Sequence, residues 1–135
     1  MTSSVLAKSY MEKAVKRLKI LNVLFQEEAF SDVIREAQEI VELAQKAMLR
    51  QVGIEPPKYH DVGPFLTDNA DRFSSEVRSD LAALADISAW LRKEREFSFY
   101  GDIDFIPTER YNAEDARRAM TDAQKVVDSA LKVVI

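Results

Sequence analysis

Between residues 31 and 52 the chain carries an apolar pattern that fits a helix and no strand. Val33, Ala37, Ile40, Val41, Ala44, Ala47 and Met48 recur at three- and four-residue steps. That spacing gathers them on one face of an α-helix and would scatter them over both faces of a strand. Glu36, Glu39 and Glu42 fall on the polar side, and the alanines of the apolar stripe let a neighbouring helix approach closely. Ser31 is the expected cap, with Asp32 near the positive end of the dipole. Gly53, Pro56 and Pro57 stop the run, and Lys58-Tyr59-His60-Asp61 comes next with the one histidine of the chain.

The remaining sequence extends the same pattern. Leu6, Tyr10, Ala14, Leu18, Leu21 and Phe25 predict a first helix over residues 3–28. After the proline elbow a short helix is expected over residues 62–69, with Phe65 and Leu66 packing inward. Val77, Leu81, Leu84, Ile87 and Leu91 predict a long helix over residues 75–96. Trp90 lies off that stripe, at the edge of the core or at a subunit interface. Residues 97–111 read as an aromatic-rich loop holding Phe97, Phe99, Tyr100, Phe105 and Tyr111. Asn112 is a good cap for a last helix whose first turn carries Glu114 and Asp115. Its apolar face is Ala116, Ala119, Met120, Ala123, Val126 and Ala130. No strand pattern, fixed-period repeat or low-complexity segment interrupts this reading. Residues 1–135 therefore read as a single all-α domain, an antiparallel bundle of four main helices plus one short one.

Composition narrows the function classes. A chain of 135 residues buries roughly two-thirds of its unfolded surface, enough for a core without crosslinks. There is no cysteine, so disulfides, thiolate metal sites and cysteine nucleophiles are excluded within it. One histidine with no Glu-x-x-His spacing argues against zinc or iron, and no metal or other cofactor is expected. The three glycines are too scattered for a phosphate loop, and no serine carries a nucleophile signature. No apolar run approaches a bilayer span and the first residues do not resemble a signal peptide. A cytoplasmic location without membrane association is the expectation.

The formal charge of −4 does not suggest a general nucleic-acid binder, but it is unevenly spread. The first helix carries Lys8, Lys13, Lys16, Arg17 and Lys19 against Glu12, a stripe that is either a solvated face or a contact surface. Arg92, Lys93 and Arg95, followed by Tyr100 and Asp102, gather basic and aromatic groups at one helix end. Basic residues there complement the helix dipole, and they are also suited to holding phosphate while Tyr100 stacks or donates a hydrogen bond. His60 has two readings as well. It is a near-neutral titrating group able to serve as a base or phosphate contact, or a turn residue where the short helix starts.

The run Ile34-Arg35-Glu36-Ala37-Gln38-Glu39-Ile40-Val41-Glu42-Leu43-Ala44-Gln45-Lys46-Ala47-Met48-Leu49 resembles the second helix of HEPN domains. Gly53-Ile54-Glu55-Pro56-Pro57 and His60-Asp61-Val62-Gly63 are similar to the segment that leaves that helix. Phe99-Tyr100-Gly101-Asp102 and Tyr111-Asn112-Ala113-Glu114-Asp115-Ala116 resemble the loop and last helix, so the likeness spans nearly the whole chain in order.

The resemblance implies a small helical bundle of the nucleotidyltransferase substrate-binding-subunit type, a homodimer, and a nucleotide- or RNA-related role. It further implies a minimal nucleotidyltransferase as partner in a toxin–antitoxin-like pair. Many HEPN domains are metal-independent RNases with an Arg-x(4–6)-His motif. Here Gly53, Ile54 and Glu55 precede His60 where that motif demands arginine, and Arg50 is too far upstream. Placing Arg95 on the family arginine puts Tyr100 where histidine belongs, and a phenol with a pKa near 10 is a poor base at neutral pH.

The expectation is thus a non-catalytic or weakly active binder of nucleotide or RNA phosphate. Its candidate site residues are Arg92, Lys93, Arg95, Tyr100, Asp102 and His60. The alternatives are an RNase using Arg95 with Tyr100 or His60, and a helical interaction module whose loop aromatics dock a partner protein.

Overall fold

The computed structural model describes residues 2–58 and 61–134. Four long helices dominate: α1 (Thr2–Gln26), α2 (Phe30–Gln51), α5 (Leu81–Phe99) and α7 (Ala113–Leu131). Three short ones, α3 (Gly63–Asp68), α4 (Ser75–Arg78) and α6 (Pro107–Arg110), sit in the connections, with a single 3₁₀ turn at Ala70–Arg72. Among the described residues there is no strand, only an isolated bridge between Asp102 and Phe105. The fold is an all-α bundle, with three short helices where the sequence suggests one. No helix among the described residues is long and apolar enough to cross a membrane.

The hub is α2, which packs against α1, α5 and α7. All seven residues of its sequence-predicted stripe are buried, joined by Ile34 and Leu49. They meet Ala7, Met11, Ala14 and Leu21 of α1, Leu84, Ile87 and Leu91 of α5, and Ala116, Ala119, Ala123, Val126, Val127 and Ala130 of α7 in one cluster. Ala14 and Leu21 of the expected α1 stripe are buried, but at its N-terminal end the stripe is rotated: Ala7 and Met11 are buried while Leu6 is 38% exposed. Tyr10, Leu18 and Phe25 stay half-buried at the margin.

Two helix ends share one geometry. At the end of α2, the Ile54 amide reaches the Leu49 carbonyl at 2.9 Å and the Gly53 amide reaches Arg50 at 3.1 Å, with Gly53 at φ +84°. This is the paired 6→1 and 5→2 closure of a Schellman turn. At the end of α1 the Ala29 amide bonds Leu24 and the Glu28 amide bonds Phe25, both at 2.9 Å. There the left-handed residue is Glu28 at φ +57°, so α1 ends at Gln26 and not at Glu28. The chain turns straight into α2, and Phe25 packs on Phe30 with ring centroids 5.4 Å apart. Helix α2 therefore starts one residue before Ser31, which is buried within its first turn and does not cap it.

The long helix expected over residues 75–96 is divided. Ser74 caps α4 through the Val77 amide, and Ser79 donates to the Glu76 carbonyl at 2.9 Å. That local side-chain bond satisfies an acceptor the helix would otherwise leave open and favours a turn. Asp80 then begins α5, its carboxylate accepting from Ser129 Oγ at 3.0 Å across to α7. At its other end α5 runs on through Phe97 and Phe99, residues expected in the loop. Asn112 caps α7 as expected, accepting from the Asp115 amide at 2.9 Å while its own amide donates to the Asp115 carboxylate at 3.0 Å. This reciprocal capping box satisfies two helix-end donors.

Candidate functional site

Helix α5 sends its basic residues to different neighbours. Arg92 and Arg95, three residues apart and so on one face, turn toward α2. Arg92 Nη1 is 3.1 Å from Glu42 Oε1 and Arg95 Nη2 is 3.4 Å from Glu39 Oε1. Arg35 joins the second pair, with Nε 3.4 Å from the same Glu39 oxygen and Nη1 donating to the Arg95 carbonyl at 3.5 Å. Lys46 and Gln38 complete the first, at 3.2 and 3.0 Å from Glu42. Burial pushes the Glu42 carboxyl up, but Gln38, Lys46 and Arg92 together outweigh it and hold it below the usual range. Glu36, which pairs with Arg17 at 3.3 Å, goes the other way because burial exceeds the help of that arginine and Glu39 adds repulsion. The polar side of α2 is thus a row of counterions for α1 and α5.

Lys93 faces elsewhere. It lines a cavity of about 370 Å³ between α5, α6 and α7, together with Arg110 and Arg118. Trp90, Phe105 and Tyr111 supply the aromatic wall, and Glu94 and Asp115 the acids. Both acids are engaged: Tyr111 Oη donates to Glu94 Oε1 at 3.2 Å, and Asp115 closes the capping box. Burial, and then the Glu94 carboxylate, push the Tyr111 phenol far up, so it remains a neutral donor. Among the described residues Lys93 and Arg110 have no carboxylate within ion-pair distance; Arg110 lies over the Phe105 ring at 4.9 Å. Two cations without an ion-pair partner among the described residues thus share the cavity with two carboxylates that are hydrogen-bonded to neutral donors.

Tyr100 and Asp102 occupy the turn that closes α5. Tyr100 is 72% exposed and meets Phe99 edge-on, with ring centroids 4.9 Å apart. Asp102 is exposed, and its carboxylate accepts from the Ile103 amide at 2.7 Å. Gly101 is at φ +69°, and a Cβ there would stand 2.3 Å from the Phe105 carbonyl oxygen. The turn needs glycine. His60 lies outside the described residues. Its neighbour Asp61 accepts from the Gly63 amide at 3.1 Å and from the Ser88 hydroxyl, which ties the start of α3 to α5.

The candidates thus separate into three places: Arg92 and Arg95 against α2, Lys93 in the cavity, and Tyr100 with Asp102 at the turn. Arg110, Arg118, Trp90 and Tyr111 were not among the sequence-derived candidates. The available signal was the Asn112 cap, which folds the segment after α5 back onto it and brings Arg110 and Arg118 to Lys93. No group of three His, Asp or Glu residues that could hold a metal occurs among the described residues.

A family model for the HEPN domain matches residues 7–133. The chain belongs to the HEPN domain family. As a HEPN domain it carries a nucleotide- or RNA-related role in the general sense of the family. Neither a curated protein nor a solved structure matches the chain. In this HEPN domain Arg95 is engaged by Glu39, and Tyr100, five residues on, projects into solvent.

Proposed function

We propose that this HEPN domain binds a nucleotide, or a short segment of RNA, in the cavity between α5, α6 and α7. Lys93, Arg110 and Arg118 hold phosphate, while Trp90 and Tyr111 offer stacking and hydrogen-bonding surface to a base or ribose. Arg92 and Arg95 help as positioning residues, anchoring α5 to α2 through Glu42 and Glu39. Tyr100 and Asp102 lie at the neighbouring turn. The observation that carries this reading is the convergence of Lys93 and Arg110, without carboxylate partners among the described residues, on an aromatic-lined cavity. Phosphate recognition needs fixed cations, and stacking is tolerant of base identity.

Within this reading the protein is a homodimer and a non-catalytic or weakly active partner of a minimal nucleotidyltransferase in a toxin–antitoxin-like pair. The absence of a histidine after Arg95 at the RNase spacing supports binding over cleavage.

Calorimetric titration with ATP and with a short single-stranded RNA at low salt tests the site. Lys93→Ala or Arg110→Ala is expected to weaken binding by about tenfold or more, the loss of one charge-assisted contact. Arg95→Ala should change it far less. Absence of binding to either ligand, or full affinity in both cavity variants, would overturn the assignment.

A further inference from the structure

We propose that the groove between α1 and the C-terminal end of α7 docks an acidic amphipathic helix of a partner protein. The groove holds about 440 Å³ and is lined by Met11, Val15, Leu131 and Val134, with Lys8, Lys16 and Glu12 along it. Helix α1 carries more apolar residues than its contacts with α2 and α7 use. Val5 is 69% exposed, and Val15, Ile20 and Val23 are also open, as is Leu131 of α7.

Charge selects the occupant. Lys8, Lys13, Lys16 and Lys19 are all exposed, and among the described residues none has a carboxylate within ion-pair distance. Arg17, one residue from Lys16, is by contrast neutralised by Glu36 at 3.3 Å. Lys8 and Lys16 line the groove and Lys19 continues their side of α1, so that even with Glu12 between them the rim is net basic on a chain of net charge −4, which complements an acidic partner. Dimensions agree with a helix. Lys8 and Lys16 are eight residues apart, about 12 Å along α1. That span matches an apolar i, i+3/i+4, i+7 ridge with acidic residues on its flanks, the helix-in-groove mode.

The same face is ill suited to other polyanions. Lys8, Lys13, Lys16 and Lys19 offer point charges and no guanidinium fork, and no exposed aromatic residue of α1 provides a stacking surface for nucleic acid. A bilayer surface is met by an apolar face carrying Trp or Phe, and α1 exposes neither.

The test is a selection from a displayed library of 16-residue helical peptides against the whole chain, followed by anisotropy titration of the best peptide. Enriched sequences should carry the apolar ridge and a net negative charge. Lys8→Glu/Lys16→Glu should weaken the winning peptide by about tenfold or more. In ¹⁵N-labelled protein the peptide should shift amides of residues 5–23 and 131–134 and leave those around Lys93 and Arg110 in place. Selection of no peptide, or of neutral or basic ones, would overturn the proposal. So would unaltered affinity in the double variant, or tighter binding of phosphatidylserine vesicles or poly(U) than of any selected peptide.

Discussion

The guanidinium of Arg118 sits 4.0 Å above the indole of Trp90, while the Trp90 Nε1 donates to Asp122 at 2.9 Å and Arg118 Nε lies 3.9 Å from that same carboxylate. Together with the Asp80–Ser129 bond at the start of α5, this triangle fastens α5 to α7. It also fixes the wall of the cavity shared by Lys93 and Arg110. Trp90 packs half-buried against the edge of the core.

A cation over an indole contributes about 0.5–2 kcal/mol depending on desolvation. Arg118→Ala is expected to lower stability by about 1 kcal/mol and to move the emission of the one tryptophan to the red as water reaches the ring. Chemical denaturation followed by tryptophan fluorescence reads both. An unchanged midpoint together with unchanged emission would show that the contact does no work.

Glu42 makes acid stability measurable. Its carboxyl is held below the ordinary 4.5, so the folded state binds its proton less readily than the unfolded chain does. The stabilisation is complete above about pH 4.5 and is lost as pH falls through the lower folded value. Glu42→Gln should be less stable than the parent at pH 7, because Arg92 and Lys46 lose a partner. The gap should narrow as pH falls through the lowered folded-state value and the parent carboxylate is itself protonated. A pH-independent gap measured by urea denaturation would contradict the assignment.

The two Schellman turns predict opposite responses to glycine chemistry. Glu28 holds φ +57° and Gly53 holds φ +84° in the same backbone role. A side chain in the left-handed region costs about 1–2 kcal/mol. Glu28→Gly should therefore stabilise, by about 1 kcal/mol or somewhat less once the extra freedom of the unfolded glycine is subtracted. Gly53→Ala should destabilise by about 1 kcal/mol. Thermal denaturation of both variants checks the pair, and the same sign in both would refute it.

Gly63 tests the seat of α3 on α5. A Cβ at this position would stand 2.9 Å from the Ala85 Cα and 3.1 Å from its carbonyl oxygen, both backbone atoms that cannot swing aside. Gly63→Ala is expected to cost about 1–3 kcal/mol, the range for overpacking. Gly63→Ala with a stability equal to the parent would show that α3 moves freely over α5.

The fold was legible because its largest signals are periodic. The stripe of α2 and the cap at Asn112 depend on residues close in sequence, and both stand as read. The misplacements arose at helix ends, where a turn or a side-chain bond overrode the apolar period. Ser31 looks like a cap, but the turn at Glu28 carries the chain directly into α2 and buries it. Ser79 looks like an ordinary helical residue, yet its bond to the Glu76 carbonyl and the reach of Asp80 to Ser129 divide the helix.

The candidate site was less legible because its contacts are long-range. Arg92, Lys93 and Arg95 are near neighbours in sequence, but a helix rotates about 100° per residue and separates Lys93 from the other two. The partners of Arg92 and Arg95 are fifty and fifty-six residues away, at Glu42 and Glu39. Arg110 and Arg118 join Lys93 only after the chain has folded back through α6 and α7.

The most direct measurement is a titration of Trp90 fluorescence with ATP and with a short single-stranded RNA, since this single indole forms part of the cavity wall. A saturable change in emission is predicted for the parent protein, weakened by added salt and by Arg110→Ala. Emission that stays constant while either ligand binds, or a change that survives Arg110→Ala and Lys93→Ala together, would place binding elsewhere and contradict the account.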